Sequence, residues 1–153
     1  MRLTEISVAF VLLAVLIVPV GALGVSETIP GPIPAEVLRV LDGDTIVVRA
    51  RIWLGQDIET RVRLLGVDTP ELNGQCETER RLARKARDLT VSLSGGGKVI
   101  LSDIQYGKYA GRVVARVHAP GGEDFSGTLL RNGLGRAYDG RRRQSWCEAP
   151  LPK

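Results

Sequence analysis

The chain has 153 residues, 25% of them charged and 44% apolar, and a formal net charge of +4. That length suits one hydrophobic core and argues against a second full domain. With 18 Gly, 8 Pro and few aromatics, the composition favours short strands and tight turns over a helical bundle. Two cysteines and one histidine leave zinc, Ser-His-Asp and Cys-His centres short of ligands or bases.

Residues 6–23 form an unbroken apolar run behind Arg2 and the amino group. Residues 1–23 read as an export signal, with Val20-Gly21-Ala22 offering the small residues a signal peptidase needs. Uncleaved, the segment would be a membrane anchor facing the periplasm, since about 18 apolar residues is the lower limit for spanning a bilayer. Cleavage makes the protein secreted or periplasmic. Removing Arg2 and Glu5 with the segment leaves the net charge unchanged, and a basic domain suits a polyanionic partner. Cys76 and Cys147 allow one intramolecular pairing, and export predicts that it forms. Closing a loop of about 70 residues stabilises the fold by about 4 kcal/mol in the chain-entropy picture.

Residues 24–34, with Pro30, Pro32 and Pro34, read as a linker or extended lead-in, and the domain is expected over 35–153. Residues 35–40 and 45–51 alternate as strands around the turn Leu41-Asp42-Gly43-Asp44. Residues 60–67 extend the meander across Gly55-Gln56-Asp57. Between Cys76 and Leu93, the recurrence of Leu82, Ala86, Leu89 and Leu93 predicts an amphipathic helix. Residues 98–101 and 112–118 read as two further strands, and 126–132 as a short helix stopped by Gly133. A basic, irregular tail follows. The fold class is mainly β (α+β). Five strands with one main helix between the third and fourth, and a short second helix, is the order of an OB-type barrel, whereas SH3-like barrels lack a helix of that length there.

Two constellations carry chemistry. Asp42-Gly43-Asp44-Thr45 is by itself a hairpin turn, and Arg63 to Glu71 (RLLGVDTPE) by itself a strand running into a Thr-Pro helix start or turn. The meander brings them together, so that Asp44 and Asp68 can face one point, where two carboxylates need a cation. Oxygen ligands without His or Cys suit Ca²⁺ or Mg²⁺, and Ca²⁺ better tolerates an irregular site that a carbonyl such as that of Thr69 completes.

With its D-G-D-T turn, its R-x-x-x-x-D-T-P-E run and the segment Lys108-Tyr109-Ala110-Gly111-Arg112, the chain resembles the staphylococcal nuclease (thermonuclease) family from about Ala35 to Tyr138. The resemblance implies that Asp44, Asp68 and the Thr69 carbonyl bind calcium, and that Arg63, Glu71 and Arg112 are catalytic. Lys108 and Tyr109 would grip a phosphate, although their segment carries one residue more than the family's K-Y-G-R, and Tyr138 resembles the tyrosine lining the base pocket. It further implies hydrolysis of phosphodiester bonds in DNA, RNA or both. The competing reading is a non-catalytic OB-type binder of single-stranded nucleic acid or anionic polysaccharide; binding alone requires neither Glu71 nor the calcium ligands. No protein partner is implied, and a monomer is expected. The arginines and lysine at 80–87 read as a solvated helix face, Arg141-Arg142-Arg143 as a flexible tail or strand contact, and Trp53 and Trp146 as packing residues.

Overall fold

The computed structural model describes residues 27–147. The apolar N-terminal segment and its cleavage site lie outside the described residues. In chain order the elements are β1 (Thr28–Ile29), β2 (Ile33–Asp42), β3 (Thr45–Trp53), β4 (Gln56–Leu64), β5 (Val67–Asp68), α1 (Glu77–Leu93), β6 (Lys98–Tyr106), β7 (Arg112–His118), α2 (Phe125–Arg131) and β8 (Arg136–Ala137). No helix among the described residues is long and apolar enough to cross a membrane.

The strands β2, β3 and β4 form an antiparallel meander. Next, β4 pairs in parallel with β7, which pairs antiparallel with β6, and β6 returns to β2. Five strands thereby close into an OB-type barrel, with α1 between the third and fourth of them. Closure leaves no long free edge among the described residues. A separate two-stranded ladder joins β5 to β8.

Alternation builds the interior. Ile46, Val48 and Ala50 of β3 face Val62 and Leu64 of β4, Val99 and Leu101 of β6, and Ala115 and Val117 of β7. Phe125 and Leu129 of α2 plug this core and are fully buried. Burying each such large side chain is worth about 1.5–3 kcal/mol.

Helix α1 is capped by Cys76, and Glu77 and Glu79 in its first turn complement the helix dipole. Its buried face is Glu79, Ala83, Ala86 and Thr90, flanked by Leu89 and Leu93, rather than one containing Leu82. The helix lies so close to the β2–β3 turn that only small side chains fit between them. For α2, the Asp124 carboxylate accepts the Gly127 N–H at 3.0 Å, and Gly133, at φ +66°, ends the helix.

Several boundaries differ from the sequence reading. The lead-in joins the sheet, since β1 pairs with β6 and β2 begins at Ile33. The hairpin turn is Leu54-Gly55, with Gly55 at φ +71°, so Gln56 and Asp57 belong to β4 and not to the turn. Trp53 at this tip is 70% exposed and does not pack. The segment 60–67 divides at Gly66, whose φ of +82° turns Val67-Asp68 away to meet β8. Strand β6 continues to Tyr106 past Asp103, a register irregularity with φ +50° whose polar neighbours masked the strand. As expected, Cys76 and Cys147 form a disulfide, with Cα atoms 5.9 Å apart across 71 positions of sequence.

Candidate functional site

The turn between β2 and β3 is seated by α1 from below. A Cβ at Gly43 would lie 2.6 Å from the Cβ of Ala86 and 2.9 Å from Thr69 Oγ1, so this position admits only glycine without movement. The buried Thr90 hydroxyl donates to the Gly43 carbonyl at 2.7 Å. Held there, Asp44 points inward. Its Oδ1 accepts from Arg63 Nη1 at 2.8 Å and from the Thr45 hydroxyl at 3.0 Å, and its Oδ2 from the Thr69 N–H at 3.0 Å.

The β3–β4 register pairs Thr45 with Arg63, placing this guanidinium at the mouth of the turn. Arg63 Nη2 also reaches Asp68 Oδ1 at 3.0 Å, so one arginine spans both aspartates. Asp68 is fixed by the β5–β8 ladder, where it pairs with Arg136. Beyond the buried Thr69, the Glu71 N–H donates to Glu79 Oε1 at 3.4 Å, and the Gln75 N–H to Glu79 Oε2 at 2.9 Å. The buried Glu79 carboxylate of α1 thus organises the loop that carries Glu71.

Burial, the largest influence, pushes the Asp44 carboxyl up to about 6; Asp42 adds to the rise, while Arg63 and the Thr69 and Thr45 donors oppose it. Even Arg63 at 2.8 Å does not offset this effect of burial.

Beside the aspartates opens a cleft of about 670 Å³ whose walls include Arg63, Glu71, Lys108, Tyr109, Arg112 and Tyr138. Lys108 and Tyr109 stand on the β6–β7 turn, which the Gly107 N–H closes by donating to the Arg112 carbonyl at 3.0 Å. The Arg112 guanidinium lies 5.0 Å from the Tyr109 ring centroid, and its buried Nε has no partner among the described residues. Tyr138 approaches Arg63, with 5.7 Å from guanidinium carbon to ring centroid, and its hydroxyl donates to the Arg141 carbonyl at 2.8 Å. Every residue singled out in the sequence for catalysis, metal or substrate therefore borders this cleft or the carboxylate cluster beside it.

Arg143 completes the cluster. Its Nε donates to Asp68 Oδ1 at 2.5 Å, its Nη2 reaches the Thr69 carbonyl at 3.3 Å, and its Nη1 pairs with Glu71 Oε1. Burial disfavours this guanidinium, but Glu71 and Asp68 outweigh that cost and raise its pKa above the ordinary range. The donor set of Asp44, Asp68 and the Thr69 carbonyl is all oxygen, and a protein cation already stands against Asp68, Thr69 and Glu71. These residues fit a hard divalent cation.

Arg143, Glu79 and Thr90 were not singled out from the sequence. The one signal for Arg143 was its position four residues before a cysteine able to pair near Glu71. Glu79 and Thr90 offered none, because their partners come from distant segments.

Fold and site together define an OB-barrel protein that holds a cation-attracting oxygen cluster next to an arginine-lined cleft. Residues 61–150 match the family described as "Staphylococcal nuclease homologue", and the chain belongs to that family. It is 32% identical over 107 residues to an "Uncharacterized endonuclease" of Escherichia coli, covering 70% of this chain and 62% of the relative. A "Probable endonuclease" of Clavispora lusitaniae is 32% identical over 68% of this chain and 53% of its own length. The "Thermonuclease" of Staphylococcus hyicus is 35% identical over 67% of this chain and 57% of its own length. In each case the match spans less than two thirds of the relative.

Proposed function

We propose that this protein is a calcium-dependent nuclease that hydrolyses phosphodiester bonds of DNA, RNA or both. The observation that carries this reading is the meeting of Arg63, Arg112 and Glu71 in one cleft bordering Asp44, Asp68 and the Thr69 carbonyl. Binding alone would need neither the acid nor the oxygen cluster. Membership of the nuclease-like family and the endonuclease and thermonuclease relatives support it.

Asp44, Asp68 and the Thr69 carbonyl would hold the cation, which when bound supplies Lewis-acid charge to a phosphodiester. Arg63 and Arg112 donate N–H groups to phosphoryl oxygens, and these bonds strengthen as charge builds in the five-coordinate transition state. Lysine lacks the forked geometry for this. Glu71 accepts a hydrogen bond from the attacking water, orients it and can take its proton as the new O–P bond forms. The ester P–O bond breaks, and the leaving oxygen takes a proton from solvent water. Lys108 and Tyr109 border the phosphate, and Tyr138 offers a ring face for a base.

We further propose that the protein is exported, with residues 1–23 as its signal. The Cys76–Cys147 disulfide supports an oxidising compartment.

The test is hydrolysis of single-stranded DNA and RNA by the full chain with millimolar Ca²⁺ or with chelator, beside Asp44→Ala and Glu71→Gln. Calcium-dependent cleavage lost in Asp44→Ala and reduced at least a hundredfold in Glu71→Gln is expected. Tight binding without cleavage in any divalent metal would overturn the reading in favour of a non-catalytic binder.

A further inference from the structure

The segment from Tyr138 to Cys147 is a strap fixed at both ends. At one end β8 pairs with β5, and the Tyr138 N–H donates to the Gly66 carbonyl at 3.1 Å. At the other, Cys147 is bonded to Cys76 at the start of α1. Between them Arg136 Nη1 donates to the Ser145 carbonyl at 2.8 Å, and its guanidinium stacks 3.9 Å from the Trp146 ring centroid. The strap carries Arg143 directly over Asp68, the Thr69 carbonyl and Glu71.

Arg63 and Arg143 both bond to Asp68 Oδ1, but from different kinds of support. Arg63 projects from a barrel strand and spans the two aspartates. Arg143 projects from an irregular strap and satisfies the Thr69 carbonyl and Glu71, the outer side of the cluster. A divalent cation on Asp68 and Thr69 would meet two guanidiniums near the same oxygens, where like charges repel strongly. Arg63 shares only the carboxylates, whereas Arg143 also occupies the Thr69 carbonyl, so Arg143 and a cation bound there exclude each other.

We propose that Arg143 is an internal counter-cation of this site, which a divalent cation must displace, and that the Cys76–Cys147 bond sets metal affinity by holding Arg143 in place. This rests on the reading of Asp44, Asp68 and Thr69 as metal ligands. A strap tethered at both ends presents its guanidinium at high effective concentration; freeing one end lowers that concentration and weakens the competition.

The experiment is calorimetric titration of calcium into the full chain, into Arg143→Gln, into the double variant Cys76→Ser/Cys147→Ser, and into Asp44→Ala. Arg143→Gln is expected to bind calcium at least about tenfold more tightly than the unaltered protein, consistent with removal of charge-assisted hydrogen bonds. The double cysteine variant shifts in the same direction, and unchanged affinity in it overturns the part given to the disulfide; Arg143→Gln, which keeps the disulfide, decides the competition itself. Equal or weaker binding by Arg143→Gln, with binding still dependent on Asp44, overturns the competition and leaves the metal site standing. No Asp44-dependent binding in any of the proteins overturns both.

Discussion

Asp44 carries a heavy electrostatic burden because it is buried. Its side chain is about 1% exposed, its neighbour Asp42 is also acidic, and it shares Arg63 with Asp68. Burial raises its pKa from the ordinary 3.8 to about 6, so in metal-free protein its protonated form predominates only below about pH 6. The stability this contributes is fully present below about 3.8 and is lost as pH rises through about 6. Other carboxylates have their own pH dependence, so the measurement is a difference. In chelator, melting temperatures of the native protein minus those of Asp44→Asn are expected to fall between pH 4 and pH 7. A flat difference would mean that burial does not dominate at Asp44. Adding calcium is expected to raise the melting temperature more at pH 7 than at pH 5, because the proton and the metal compete for one carboxylate.

At the scale of elements, α1 supports the site from two ends. Near its start, Glu79 binds the loop of Glu71 through backbone N–H groups, and near its end, Thr90 binds the Gly43 carbonyl. The stripe of Glu79, Ala83, Ala86 and Thr90 is consequently small and polar where a helix against a core is usually larger and apolar. Thr90→Val keeps the shape and removes the hydroxyl, leaving a buried carbonyl unpaired. It is expected to cost about 1–3 kcal/mol in denaturant unfolding, with Thr90→Ser recovering most of the loss. Gly43→Ala, which drives a methyl into Ala86 and Thr69, is expected to cost about 2 kcal/mol or more and to weaken calcium binding through Asp44. An unchanged midpoint in Thr90→Val would show that this hydrogen bond does not hold the turn.

For the whole molecule, the Cys76–Cys147 bond ties the tail to the start of α1 and stabilises the fold while holding Arg143 against the site. Removing it should lower stability by about 4 kcal/mol on the chain-entropy account. The calcium affinity of the same variant should rise. Opposite movement of stability and affinity separates a strap that competes with metal from a tail that merely stabilises the fold, for which both would fall. Midpoints of chemical unfolding, with and without calcium, report the two quantities on one protein.

The barrel was legible because strand alternation is local. Ile46, Val48 and Ala50 announce an inward face without reference to any partner, and Asp42-Gly43 announces its turn. Asp44 and Asp68 were legible as a pair because a meander brings successive turns and strand ends together, and Arg63 joined them only through the family resemblance. Boundaries failed where local chemistry and pairing disagree, as at Gln56-Asp57, polar yet within β4, and at Asp103, where β6 continues through an irregularity. Arg143 was read only as part of a basic tail, not as a site residue. Its acceptors lie 72 to 75 positions earlier in the chain, and only its spacing from Cys147 sets the third arginine apart from its neighbours. By itself, the sequence determined the main strands and helices, the disulfide pair and the acidic residues proposed as ligands, because these follow from residue type and short-range pattern. Only the tertiary structure decided which arginine faces the carboxylates and which helix face seats the turn, because closing the barrel sets those long-range distances.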